Sequence, residues 1–222
     1  MVYAENKRYF KNREDAGNQL GLFLKPKYAS VDPLVIGIPR GGVEVAFYVA
    51  RQLNADLSVI VSKKLPLPQQ PEFGIGAVGE EDFIYISPQV MNIVSRELLN
   101  ELIEEQKREV DRRVIKYRQG SPIPEMAGRT VILVDDGIAT GVTLVPVVQL
   151  CRKKNAARII IAVPVSGLSY NEHLNEADAI EVLIQPASFF AVGQVYEEFG
   201  NLDDADIVAL LSKAGKEQDS LN

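Results

Sequence analysis

Apolar runs of strand length punctuate the chain without interruption: LVIGI at 34–38, LSVIVS at 57–62, TVILV at 130–134, RIIIAVPV at 158–165 and AIEVLI at 179–184. A strand with one wet face alternates apolar and polar residues, so runs that do not alternate belong to strands covered on both faces. A parallel sheet between helices meets that demand, and the expected fold class is α/β with a central, mostly parallel sheet. The intervening segments agree. Residues 43–53 put Val43, Ala46, Phe47, Ala50 and Leu53 on one helical face. Residues 95–118 predict one charge-laced helix about 36 Å long at ~1.5 Å per residue, with Leu98, Leu102, Val110, Val114 and Tyr117 near helical spacing. Its apolar stripe is not a sustained heptad, so a solvated face is expected ahead of local core packing, with a dimer seam as the functional alternative.

Ser87-Pro88 predicts the capped start of a shorter helix ahead of it, and the tail 213–222 reads as frayed. With 222 residues, 46% of them hydrophobic and 24% charged, the chain is expected to form one domain, 1–222. That domain carries a helical insertion at about 88–119.

Charge and residue usage remove several function classes. The net charge of −6 argues against a nucleic-acid surface. Lone Cys151 excludes an internal disulfide, and with the single His173 no Cys/His cluster can hold zinc, copper or iron–sulfur. Carboxylates alone are left to hold a metal. No apolar run approaches the roughly 20 residues of a membrane span, and the start MVYAENKRYFKNRED is no secretory signal, so no membrane and a cytoplasmic setting are expected.

The most informative stretch is VILVDDGIATGVT at 131–143: an apolar strand, two adjacent acids, then a small-residue loop opening a helix. Such a loop presents successive backbone N–H groups to an anion, and Thr140 and Thr143 can add hydroxyl donors. Asp135 and Asp136 would repel a bare phosphate, so they need a sugar diol, a divalent cation, or both. A ribose 5-phosphate satisfies both halves. No Lys follows Gly141, which removes the Walker pattern, and the glycine spacing removes the dinucleotide fingerprint. A second loop, IGIPRGGVEVA at 36–46, offers Arg40 with Gly41 and Gly42 at a strand-to-helix turn, a plausible pyrophosphate site. The stretch KKLPLPQQPEFGIGAVGEED at 63–82, rich in Pro and Gly, reads as a mobile lid over 65–80, with Lys63 and Lys64 at its base.

The run at 131–143 resembles the phosphoribosyl-pyrophosphate (PRPP) motif of the type I phosphoribosyltransferases, and the similarity extends over almost the whole chain. It is nearest to a bacterial stand-alone group with the same PRGG, GIGAV-like, VDDGIATG and AVG segments. The resemblance implies the type I fold, with a small C-terminal hood at about 164–200, and transfer of the 5-phosphoribosyl group from PRPP to a nitrogenous base with release of pyrophosphate and Mg2+ as cofactor. Catalytic weight then falls on Asp135, Asp136, Arg40 and Lys64. Gly137, Ile138, Ala139, Thr140, Gly141 and Thr143 would bind the 5′-phosphate, and Arg40, Gly41, Gly42, Lys63 and Lys64 the pyrophosphate. Asp135 and Asp136 would hold the metal, mainly through water or ribose hydroxyls. PASFFAVGQVYEEF at 186–199 is similar to the base-binding segment of hypoxanthine-guanine type enzymes, putting Phe190 and Ala191 at the base and Glu197 at the acidic position. A non-proline cis peptide near Arg40 is also implied.

Two departures bear on the substrate. Ala139 stands where 6-oxopurine enzymes place an acid, and VPVSGLSYNE at 163–172 supplies no purine-reading Lys, so hypoxanthine and guanine are disfavoured. Pro146 should kink or delay the helix after Thr143. The reading from another class is a non-catalytic PRPP- or nucleotide-sensing protein on the same fold. A homodimer is left open.

Overall fold

A computed structural model describes residues 9–67, 70–88, 90 and 93–219. Five strands, β1 (Leu34–Gly37), β2 (Asp56–Val59), β6 (Thr130–Val134), β7 (Arg158–Val165) and β8 (Ala179–Ile184), form one sheet. It is fully parallel, in the order β2-β1-β6-β7-β8. Alternate residues of each strand feed two separate cores, as the pleat requires. Ile36, Leu133, Ile159 and Ile161 pack beneath α4 (Val145–Lys153), against Val147, Val148 and Cys151. Val35, Ile132, Val134 and Ile160 pack on the other face against α1 (Arg13–Tyr28) and α2 (Gly41–Leu53), through Leu20, Leu24, Val45 and Val49. The chain folds into the α/β layers that its continuous apolar runs demanded.

The helix α1 has no counterpart among the sequence expectations, because Pro26 and a polar composition mask its period. Its start is nevertheless written locally: the Asn12 side chain accepts from the Asp15 amide at 3.0 Å, and Glu14 and Asp15 occupy the first turn. The run expected as a strand at 57–62 divides in two. The chain leaves β2 at Val59 and enters a second sheet of β3 (Ser62–Leu67), β4 (Gln70–Gly79) and β5 (Ile84–Ile86), antiparallel throughout. The segment expected as a loop lid at 65–80 is therefore a β-hairpin whose tip, 68–69, lies outside the described residues. Leu65, Ile75 and Val78 tie it to a core that the Pro and Gly residues conceal in the sequence.

Helix α3 (Arg96–Arg118) starts at Ser95, whose hydroxyl accepts from the Leu98 amide. Its stripe corrects the solvated reading: Leu99, Leu102, Val110 and Tyr117 pack with the hairpin and with Ile207 of α5 (Asp204–Asp219). The tail expected to fray at 213–222 is helical as far as Asp219, with 220–222 outside the described residues. The shorter helix expected from Ser87-Pro88 falls partly outside them as well. Pro146 sits in the first turn of α4, so the helix start is delayed to Val145 rather than kinked.

Candidate active site

In an open parallel sheet, ligands bind beyond the carboxyl ends of the strands where the winding direction reverses. Here the connections from β1 run outward to β2 and those from β6 run the other way to β7, so the switch lies between β1 and β6. The loop after β1 carries Arg40, Gly41 and Gly42, and the loop after β6 carries Asp135 through Thr143. The Ile38 amide donates to the Val134 carbonyl at 2.9 Å and holds the two loops side by side. The fold thus brings both phosphate-type motifs to one crevice.

The two loops touch. A β-carbon at Gly41 would overlap the Asp136 Oδ2 atom, and one at Gly42 would lie 2.6 Å from the Val134 carbonyl oxygen. Only glycine lets this backbone come so close to the acids. The Pro39–Arg40 peptide is cis, as the resemblance implied. The loop after β6 is pinned at both ends: the Ile138 amide donates to the Val165 carbonyl, and the Thr140 carbonyl accepts from the Asn171 amide, both at 2.9 Å. Directly after the second anchor Gly141 takes φ +76°. The amides of residues 139–143 donate to no other backbone group among the described residues. Such a turn leaves them free for an anion.

What holds Asp136 carries no local signal in the sequence. Arg13 Nε donates to Asp136 Oδ2 at 2.8 Å, while its Nη1 donates to the Gly200 carbonyl at 2.8 Å. Its guanidinium lies 3.9 Å from the centre of the Phe199 ring, and Tyr196 donates its hydroxyl to the Asp136 carbonyl at 2.7 Å. Arg13, Tyr196 and Phe199 come from the two ends of the chain, so no local spacing announces them. Burial raises the pKa of Asp135, and the neighbouring Asp136 carboxylate raises it further. Burial raises that of Asp136 too, with the Arg13 guanidinium working against it. Asp135 Oδ1 accepts from the Asp136 amide at 2.9 Å. Among the described residues, each carboxylate retains one oxygen free of hydrogen bonds. Hard oxygen donors suit a divalent cation that keeps much of its water. No group of three or more His, Cys, Asp or Glu able to hold a metal converges among the described residues.

Lys63 and Lys64 are neighbours on β3 and therefore point to opposite faces. Lys64 crosses Gly74, a position that also approaches Val142 of the loop after β6. Lys63 turns toward α3. In the segment after β8, Phe189 packs on the cluster that holds Val165 and Val195, whereas Phe190 is 86% exposed. Gln194 holds that arrangement, accepting from the Phe190 amide at 3.1 Å and donating to the Ser188 carbonyl at 2.8 Å. Ala191 and Glu197 are also exposed. Beyond the carboxyl ends of β7 and β8 the next residues are neutral: Gln185 Nε2 donates to Ser166 Oγ at 3.0 Å.

A model of the phosphoribosyl transferase domain matches residues 10–198. Two Mycobacterium tuberculosis proteins, from strains CDC 1551 and H37Rv and each named "Putative phosphoribosyl transferase", are 36% identical over 213 residues, covering 95% of this chain and 48% of theirs. The chain spans about half the length of these curated relatives. The crystal structure of TT1426 from Thermus thermophilus matches with a TM-score of 0.76 and 35% identity, covering 92% of this chain and 98% of that one. The chain belongs to the phosphoribosyl transferase domain family and has the α/β fold of its type I members.

Proposed function

We propose that the chain transfers the 5-phosphoribosyl group of PRPP to a nitrogenous acceptor and releases pyrophosphate. The observation that carries this reading is the contact of the Asp135-Asp136 pair with the Gly41-Gly42 backbone at the sheet's switch point. It gives one crevice a diol- or metal-binding end, a phosphate cradle and a close backbone approach for a second anion.

In the reaction the C1–oxygen bond to pyrophosphate breaks with its electron pair leaving on oxygen, and an acceptor nitrogen lone pair forms the new C1–N bond. Positive charge builds on the sugar between the two events. Asp135 and Asp136 hold the ribose hydroxyls and favour that charge, and the 137–143 loop fixes the 5′-phosphate. Arg40, the Gly41-Gly42 backbone and Lys64 hold the leaving pyrophosphate. Mg2+, when bound at the Asp135-Asp136 oxygens, supplies neutralisation of the pyrophosphate charge. The hairpin β3–β4 excludes water, and the bare ring of Phe190 stacks on the acceptor. Ala139 offers no proton acceptor, so an acceptor that sheds a proton gives it to pyrophosphate or water. The neutral Ser166 and Gln185 beyond the ends of β7 and β8 speak for an acceptor without a 6-oxo group needing a cation.

The test is calorimetric titration with PRPP, with and without Mg2+, then a pyrophosphate-release screen over purine, pyrimidine and nicotinate-type acceptors. Metal-dependent binding with release for one acceptor class supports the transferase. Binding without release for any of them would favour a PRPP- or nucleotide-sensing protein.

A further inference from the structure

The face of β3 that carries Lys63 looks onto a cavity of about 420 Å3, lined by Lys63, Glu105, Gln106, Arg108, Glu109 and Arg112. The acids nearby are largely committed. Glu109 accepts from Arg112 Nε at 2.8 Å and from Arg113 Nε at 2.7 Å, and the Arg112 bond, with Arg113 adding to it, holds its pKa down at about 2. Asp204 accepts from the Tyr117 hydroxyl at 2.6 Å, from Lys116 at 3.1 Å and from Arg112 Nη1 at 3.2 Å. Glu105 is the remaining carboxylate of the lining, and it is exposed.

The cations are not so well matched. Lys63 is half-buried and Arg108 exposed, and neither makes a hydrogen bond or ion pair with any described residue. Arg113 is only 9% exposed, and Glu109 takes its Nε alone; its two terminal nitrogens bond to no described residue. Burial pushes the Lys63 pKa down, and the charges of Arg113, Arg40 and Arg112 push it further, against the pull of Glu109. Positive groups gathered at one partly dry place repel one another unless an anion sits among them. Guanidinium forks and an ammonium are the donors that polyphosphates recruit.

We propose that this cavity is a second anion site, built by the α3 insertion against β3, that binds a di- or triphosphate group. Its volume falls within the range of small-molecule sites, so it accommodates a phosphate chain with or without an attached nucleoside. Its lining shares no residue with the loops after β1 and β6: it lies on the Lys63 face of β3, whereas Lys64 crosses Gly74 toward Val142 of the loop after β6. The proposal does not depend on the transferase reading.

The experiment saturates the full chain with PRPP and excess Mg2+ and then titrates inorganic pyrophosphate in one arm and ATP in the other, by calorimetry. One further equivalent is expected to bind, and Arg108→Gln is expected to weaken it about tenfold while leaving PRPP binding unchanged, as loss of one charge-assisted contact does. Arg108 has no partner among the described residues, and Arg108→Glu should weaken it further. Equal affinity for the two probes identifies the phosphate chain as what is read, and tighter ATP binding adds the nucleoside. No uptake beyond PRPP, or uptake that Arg108→Gln leaves unchanged, overturns the site. Should PRPP itself fail to bind, the Arg108 variants still separate this cavity from the Arg40 loop.

Discussion

Replacing Arg13 by Met removes the guanidinium that faces Asp136 and keeps an aliphatic stem of similar reach. At the observed 2.8 Å the attraction is roughly 6 kcal/mol for an effective dielectric of ~20, before the water lost by both groups is counted. Leaving one member of a buried pair alone costs roughly 3–5 kcal/mol. The side chains of Arg13 and Asp136 are 9% and 16% exposed, which points to the lower end, about 3 kcal/mol. For a chain of this size that is a fall in Tm of roughly 6–12 °C.

The loss should also depend on pH. Burial already holds the Asp136 pKa above its ordinary value against the pull of Arg13, and without Arg13 it rises further. The folded variant then keeps a proton that the unfolded chain releases, so its stability falls as pH rises through the folded pKa. Urea unfolding of wild type and Arg13→Met at pH 5 and pH 8 measures this, with each difference taken at one pH. The deficit should be larger at pH 8, and Asp136→Asn in the same chain should remove most of it. A deficit below about 1 kcal/mol at pH 8, or one that grows toward pH 5, would refute the reasoning.

Three other substitutions probe separate parts of the account. Gly41→Ala drives a methyl group into Asp136, so it should abolish PRPP binding in a calorimetric titration; retained binding would show that the loop can move aside. Glu80 is 5% exposed, accepts from the Val61 amide at 2.7 Å and pairs with Arg118 at 2.7 Å. Glu80→Gln should therefore cost about 3 kcal/mol in urea unfolding, and a cost under about 1 kcal/mol would mean that Arg118 finds another partner. Phe190→Ala should change stability by less than about 0.5 kcal/mol while raising the acceptor KM roughly tenfold. A clear fall in Tm would instead make that ring part of the core.

The parallel sheet was legible because strands buried on both faces must be apolar throughout, and β6 and β7 fall at the residues where the unbroken runs occur. Both loops of the crevice were legible for a related reason: each packs acids, glycines or threonines into a few consecutive residues, so the chemistry is local. The hairpin was not, because Leu65, Ile75 and Val78 belong to a core completed by α3 rather than by their own segment. Nor was the burial of the α3 stripe, since a surface of Glu and Arg outside says nothing of what packs inside. The partners of Asp136 were the hardest to foresee. Arg13 lies 123 residues from Asp136 and 187 from Gly200, and only the folded chain joins them.

The central claim is that the acids after β6 engage PRPP together with a metal. Asp135 is the cleaner probe, since Asp136 also anchors Arg13, whereas among the described residues the one hydrogen bond of the Asp135 side chain is accepted from the next residue's amide. Calorimetric titration of wild type and Asp135→Asn with PRPP in the presence of Mg2+ is the most direct measurement. Mg2+-dependent binding is expected for the wild type, weakened at least about tenfold in the variant at unchanged Tm. Equal PRPP affinity in the two proteins would contradict it.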